Sequence, residues 1–201
     1  MDDTNKTYLA ALFGAYDDYN QDEYLPQTLT SVTVLGGVIG EDAFYRCTRL
    51  TEIILFDGVT AIGRNAFNAC TGLTSMTIPD SVTEISGWAF GECTSLKSVT
   101  IGSGVEKIDY AAFYGCSSLT EAVIPDSVTS VGNSVFGQCT SLKSVTVGKG
   151  VKQIGEYTFD GCTSLTDVYY TGTEEEWKDV IIYGGNSPFV DASKHYEHKI
   201  N

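Results

Sequence analysis

The chain has 201 residues, 42% of them hydrophobic, and a formal net charge of -14. So acidic a surface argues against nucleic acid, whose phosphates call for a basic stripe, and against an anionic membrane surface. No run of about 18 apolar residues occurs, so no membrane-spanning helix is expected.

Residues 1–28 carry six acids (Asp2, Asp3, Asp17, Asp18, Asp22, Glu23) against Lys6. Tyr8, Leu9, Leu12 and Phe13 have helical spacing, and Gly14 sits where a C-cap glycine belongs, so the pattern predicts a short helix within Thr4–Phe13. A polar loop over Ala15–Tyr24 and Pro26 follow. Asp18 to Asp22 has the look of the first half of a calcium loop, but Glu23 and Leu29 stand where such a loop needs its Gly and Glu. A solvated acidic loop accounts for it better. The whole segment is expected to cap the open end of what comes next. Met1-Asp2-Asp3 has neither the basic nor the apolar region of a signal peptide, which leaves either a cytosolic chain or a mature piece of a longer secreted one.

From residue 29 to 170 the sequence repeats. Cys47, Cys70, Cys93, Cys116, Cys139 and Cys162 stand 23 residues apart, in step with Phe44 to Phe159 three residues earlier and Leu50 to Leu165 three residues later. Three registers on one period define a repeat solenoid, a stack of units each too small to bury its own apolar face. In each unit Leu-x-x-Val-x-Ile ends in period-2 alternation and contains a short strand. Pro-Asp-Ser or Gly-x-Gly then turns the chain, Val-x-x-Ile-Gly is a second extended piece, and Ala-Phe-x-x-Cys has helical or 3₁₀ spacing. About seven strand trios run from Leu29/Val32/Val34 to Leu165/Val168/Tyr170, with six full Phe/Cys turns between them. Leu29 to Leu50 is 21 residues, so the first unit has lost two residues at its turn near Gly36-Gly37. A second period of 46 residues pairs Pro-Asp-Ser units (Leu73, Leu119) with Gly-x-Gly units (Leu96, Leu142).

After Tyr170 the repeat ends. Thr173 with Glu176 forms a capping box and three glutamates suit the first helical turn, so 171–201 reads as a C-terminal cap and tail. Trp177, Ile181 or Ile182, and Phe189 are expected to cover the last rung. Caps and tail hold most of the net charge: the array between them has 13 acids against 8 bases.

Nothing in this pattern supplies chemistry. One cysteine per rung places the sulfurs in one interior column, where in-register Cβ atoms sit too far apart for good disulfide geometry and a straight row cannot surround zinc; six free, buried thiols are expected. The only histidines, His195 and His198, lie in a tail expected to be disordered. No triad, phosphate loop or metal set is present in the array. Catalytic, cofactor and metal residues are therefore expected to be none, and the chain is expected not to be an enzyme. The outward strand positions, with Thr77, Thr100 and Thr146 among them, make a flat hydroxyl-rich face. That face is either plain solvated strand or a shallow surface for a protein or glycan. Trp88, Tyr110, Tyr157 and Tyr169 are candidate exposed anchors, with Trp88 the sharpest, unless it packs over the neighbouring turn.

The unit from Leu73 through Ile78-Pro-Asp-Ser-Val to Ala89-Phe-Gly-Glu-Cys93 resembles the BspA-type leucine-rich repeat, and Tyr8–Gly14 and Val168–Trp177 resemble the caps that flank such arrays. Ser86 and Asp109 after the isoleucine, and Val135 and Thr158 before the phenylalanine, are local departures. The resemblance implies a right-handed solenoid with a parallel β-sheet along one side. It also implies a secreted or cell-surface bacterial protein that adheres to proteins of a host or neighbouring cell. A rigid spacer and a glycan-binding accessory module remain alternatives. A monomer is expected, without cofactor, nucleic acid or membrane insertion.

Overall fold

The computed structural model describes residues 29–199 and the backbone of 6–8. After Lys6–Tyr8 (β1), Ser31–Ile39 (β2) and Glu52–Ile62 (β3), each rung gives a four-residue strand and a two-residue one. These are Ser75–Ile78 (β4) and Glu84–Ile85 (β5), Ser98–Ile101 (β6) and Lys107–Ile108 (β7), Glu121–Ile124 (β8) and Ser130–Val131 (β9), and Ser144–Val147 (β10) and Gln153–Ile154 (β11). Asp167–Tyr170 (β12), Glu174–Trp177 (α1), Ile181–Ile182 (β13), Ser187–Asp191 (α2) and Ser193–His195 (β14) complete the chain.

Every described strand pair is parallel, and there are two ladders rather than one. The two-residue strands form a continuous sheet, β1-β2-β3-β5-β7-β9-β11-β13. The four-residue strands make the second face, in the pieces β4-β6 and β8-β10-β12-β14. β2 and β3 are long enough to run through both. Their register steps between Val34 and Gly36 and again between Gly37 and Val38, so the two residues missing from the first unit are absorbed one at a time beside the glycines.

Of the two readings its spacing allows, helical or 3₁₀, the Ala-Phe-x-x-Cys segment follows the tighter one, as a chain of turns. Ala66, Asn68 and Cys70 donate their N–H groups three residues back, to Gly63, Asn65 and Phe67. Asn65, Phe67 and Ala69 donate instead to Gly87, Ala89 and Gly91 of the next rung, at 3.1, 2.8 and 2.8 Å. A helix would use every donor internally; here alternate donors hold the stack together. The alternation bends the backbone into the left-handed region twice per rung, at Asn65 (φ 51) and Ala69 (φ 58) and their equivalents, where only Gly115 and Gly161 are glycines within the array.

The core is columnar. Phe44, Phe67, Phe90, Phe113, Phe136 and Phe159 stack face to face with ring centroids 5.1–5.6 Å apart. The trio positions are buried beside them, except Leu55, which is half-buried. At the C-terminal end the cap imitates a further rung. Phe189 adds a seventh ring at 4.5 Å, Gly184 O accepts from Tyr157 N–H, and the buried Asn186 Oδ1 accepts from Phe159 N–H where a rung carbonyl would stand. Trp177 packs on Tyr170 and Phe189, and the capping box of Thr173 and Glu176 opens α1 as expected.

Two expectations at the ends need correction. Within the segment read as the helix Thr4–Phe13, Lys6–Tyr8 is a strand in register with Val32–Val34. The remainder of that helix, Gly14, the Asp18–Asp22 loop and Pro26 lie outside the described residues. The tail is not disordered at its histidines: β14 pairs with β12, and His195 Nε2 lies 2.8 Å from Asp167 Oδ1.

The 46-residue super-repeat has a steric cause. Each Pro-Asp-Ser turn leans onto the following rung, so that a Cβ on Gly104 would sit 1.9 Å from Asp80 O, and one on Gly150 2.0 Å from Asp126 O. The Pro-Asp-Ser turn therefore demands Gly-x-Gly above it. Gly104→Ala is expected to cost about 1–3 kcal/mol by overpacking, read as a lower urea midpoint with unchanged m-value. Gly184→Ala, where no atom lies within 4 Å, is expected to stay within about 1 kcal/mol of the parent.

Candidate interaction surface

The cysteine column is inert by construction. The thiols of Cys70, Cys93, Cys116, Cys139 and Cys162 each donate to the carbonyl of the phenylalanine 26 residues earlier, at 3.1–3.3 Å. All six cysteines are free, and five are buried; Cys47, at the end of the column, is half-buried rather than buried as expected. Burial pushes the Cys47 thiol up to about 11 and those of Cys93 and Cys162 to about 12. Burial first, then the neighbouring thiols, raise Cys70, Cys116 and Cys139 well above their ordinary value. Such groups are poor nucleophiles at neutral pH, since the thiolate is the reactive form. Among the described residues the one buried hydroxyl in the turns, Thr158, donates to Gly132 O and Gly155 O at 2.8 and 2.9 Å.

The face formed by the four-residue strands is different in kind. Some of its hydroxyls belong to the fold: Thr51, Thr120 and Thr166 lie 3.1–3.5 Å from carbonyls of the preceding rung. Thr77 and Thr100 are exposed, with no such bond among the described residues. Thr146, read as an outward position, is 8% exposed. Its rung neighbours are Val123 and Tyr169, and Tyr169 itself is covered by His195 and His198, whose rings lie 4.6 Å away. The C-terminal end of this face is thus closed, and the stretch around Thr77 and Thr100 is open.

Proline decides where it opens. In the intact part of the ladder, the residue after the strand donates backward: Gly148 N–H to Ile124 O at 2.8 Å and Thr171 N–H to Val147 O at 3.1 Å. Pro79 and Pro125 occupy the same place on their rungs and have no N–H. The first bond of those rungs is weakened too. Thr120 N–H reaches Lys97 O at 3.4 Å, against 2.8–2.9 Å for Lys97, Lys143 and Thr166, and among the described residues none joins Thr74 to Thr51. The ladder therefore parts between β3 and β4 and between β6 and β8. A groove of about 780 Å³ spans both seams, within the usual size range of ligand pockets. Thr77, Ser98, Thr100, Glu121 and Val123 line it, with Leu55, Pro79 and Pro125.

Of the aromatic candidates only Tyr169 is on this face, at its closed end. Trp88 is half-buried, with its ring over Gly91, where a Cβ would meet it at 2.5 Å, and it contacts Tyr114 and Tyr110 at 5.2 and 6.0 Å between centroids. It packs over its own turn, although Trp at φ 60 is costly for a bulky side chain. Tyr110 and Tyr157 are exposed on the turn edge. The structure thus brings together Thr77 and Thr100, sets Trp88 beside Tyr110, and leaves Tyr157, Tyr169 and Thr146 apart from both. Sequence reasoning does not name Pro79, Pro125, Asp57, Asp80, Glu121 and Asp126 as site residues; the Pro-Asp-Ser segments read as turns and Glu121 as one outward position among others. The signal available was proline recurring at 46 residues in the slot whose N–H the ladder needs.

Parallel rungs at a 23-residue step around a Phe/Cys core define a leucine-rich-repeat solenoid. The BspA type leucine rich repeat family model matches residues 37–166 in six copies, and the chain belongs to that family. Among solved structures, a leucine-rich cell surface protein from Faecalibacterium prausnitzii A2-165 superposes with a TM-score of 0.62 at 22% identity, covering 78% of this chain and 55% of that one. A leucine-rich repeat protein from Bacteroides ovatus gives 0.58 at 23% identity, covering 86% and 50%. The T. pallidum leucine-rich repeat protein gives 0.51 at 26% identity, covering 81% and 72%. The chain therefore spans only 55% and 50% of the length of the first two. Comparison with curated proteins gives no match. No helix among the described residues is long and apolar enough to cross a membrane.

The thiol column gives a pH dependence. Unfolded thiols ionise near 9.0 and the buried ones only near 11 to 12. Between these values the unfolded chain binds fewer protons, so stability falls as pH rises. Each thiol is expected to withdraw up to about 1.4 kcal/mol per pH unit across that window and nothing below it. Urea midpoints should be flat from pH 7 to 8 and drop by pH 10. Native protein at pH 8 should yield at most Cys47 to a thiol reagent, and denatured, unreduced protein all six; a denatured count of zero would mean disulfides.

Proposed function

We propose that the array is a non-catalytic protein-interaction module of a secreted or cell-surface bacterial protein. Its partner docks on the open stretch between β3 and β8. The observation that carries this is the groove itself. The four-residue strands are closed over at their C-terminal end and open at two proline seams, where Thr77, Ser98 and Thr100 present hydroxyls beside apolar walls. The likeness of the fold to a leucine-rich cell surface protein supports the location. The test is binding of the intact chain to purified host matrix proteins by interferometry. Thr100→Arg fills the groove on an exposed position, and is expected to weaken any hit by about tenfold or more with an unchanged melting temperature. Undiminished binding of every hit would remove the groove as the docking site.

The exposed Tyr110, edge-on to the half-buried Trp88, favours a second reading, a glycan-binding accessory surface, because an exposed aromatic ring can stack on a sugar. Tyr110→Ala is expected to abolish signals on a glycan array under that reading and to leave matrix-protein binding alone. Binding to neither panel would leave a rigid spacer.

A further inference from the structure

The groove has a charge as well as a shape. Asp57, Asp80, Glu121 and Asp126 are among its lining residues, and no lysine or arginine is. None of the four carboxylates is in an ion pair among the described residues. Two are held in place by backbone. Asp80 Oδ1 accepts from Ser103 N–H at 2.6 Å; Asp126 Oδ1 accepts from Lys149 N–H at 3.1 Å and from the Thr171 hydroxyl at 2.6 Å. Asp57, Asp80 and Asp126 occupy one column, one rung and then two rungs apart, or about 5 and 10 Å at the strand spacing.

Between and beside the carboxylates lie Pro79, Pro125 and Val123, with the half-buried Leu55 at one end. Such walls take the aliphatic stem of a lysine or arginine while its charged head reaches a carboxylate. The hydroxyls of Thr77, Ser98 and Thr100 can bond the backbone of an extended chain laid along the stack. Same-side residues of that chain recur at about 6.7 Å, a step long basic side chains can match to the aspartate column. We propose that the groove takes an extended polypeptide segment rich in lysine or arginine. This rests on the docking site assigned above and names the chemistry of its occupant.

The test uses the intact chain with a short, dye-labelled peptide of alternating lysine and threonine, and its glutamate–threonine and serine–threonine counterparts, followed by fluorescence anisotropy at low and physiological salt. Only the cationic peptide is expected to bind, more weakly as salt rises. Asp80→Asn with Asp126→Asn keeps the acceptor oxygens and the fold, and should weaken binding about tenfold or more. Glu174→Gln with Asp179→Asn makes the same change of charge on the C-terminal cap and should leave it unchanged. Equal weakening by both pairs would mean attraction to the whole acidic surface and would overturn the proposal, as would no binding. A matrix-protein ligand lost in Thr100→Arg but indifferent to the aspartate pair would remove the cationic occupant and keep the docking site. One indifferent to all three would remove both.

Discussion

Everything in this molecule depends on backbone hydrogen bonds passed from rung to rung in a fixed 23-residue register. The turns show the constraint most plainly. Alternate N–H groups serve their own turn and the next rung, so a turn cannot be lengthened, shortened or wound into a helix without stripping donors from its neighbour. The same register puts each phenylalanine over the last and each thiol under the same carbonyl, rung after rung. The cost is two left-handed residues per rung, nearly all of them non-glycine. That cost is borne because each such residue frees an N–H for the stack.

The surface is shaped by interruptions of that register. Proline at 79 and 125 withholds a donor from one ladder while the other continues unbroken through β3, β5, β7 and β9. The Pro-Asp-Ser turn also presses on the rung above, which is why Gly-x-Gly follows it. One substitution pattern thus sets the super-repeat, parts the sheet, and lines the opening with aspartates. The C-terminal cap works in the opposite sense, since Gly184, Asn186 and Phe189 reproduce the carbonyl, the acceptor and the ring of a rung that the sequence no longer encodes.

Much of this was legible in the sequence, because a repeated side chain reports a repeated environment. The columns of Phe, Cys and Leu, the shortened first unit at Gly36-Gly37, the capping box at Thr173 and the cover by Phe189 all follow from spacing. The alternation of donors in the turns was not legible, because Ala-Phe-x-x-Cys satisfies helical spacing equally well and ten of the twelve left-handed slots in the array carry a residue other than glycine. Nor was β14, since Ser193-Lys-His195 has no apolar alternation and owes its place to Asp167 and Tyr169. Thr146 stands in nearly the same local sequence as Thr100 and differs in its place in the intact ladder, with Tyr169 on the next rung. The groove was half visible: the prolines were seen as turn residues and not as missing donors.

A stack with one continuous sheet and one parted sheet does not resist bending equally in all directions. The unbroken sheet acts as a spine, and the seams beside Pro79 and Pro125 are the places where the opposite side is held by the fewest and longest bonds, Thr120 N–H to Lys97 O at 3.4 Å among them. Curvature is therefore softest about an axis lying along the spine's face, and the gap that widens under that curvature is the same one that a partner would enter. Stiffness, in this solenoid, is patterned by two imino acids set 46 residues apart.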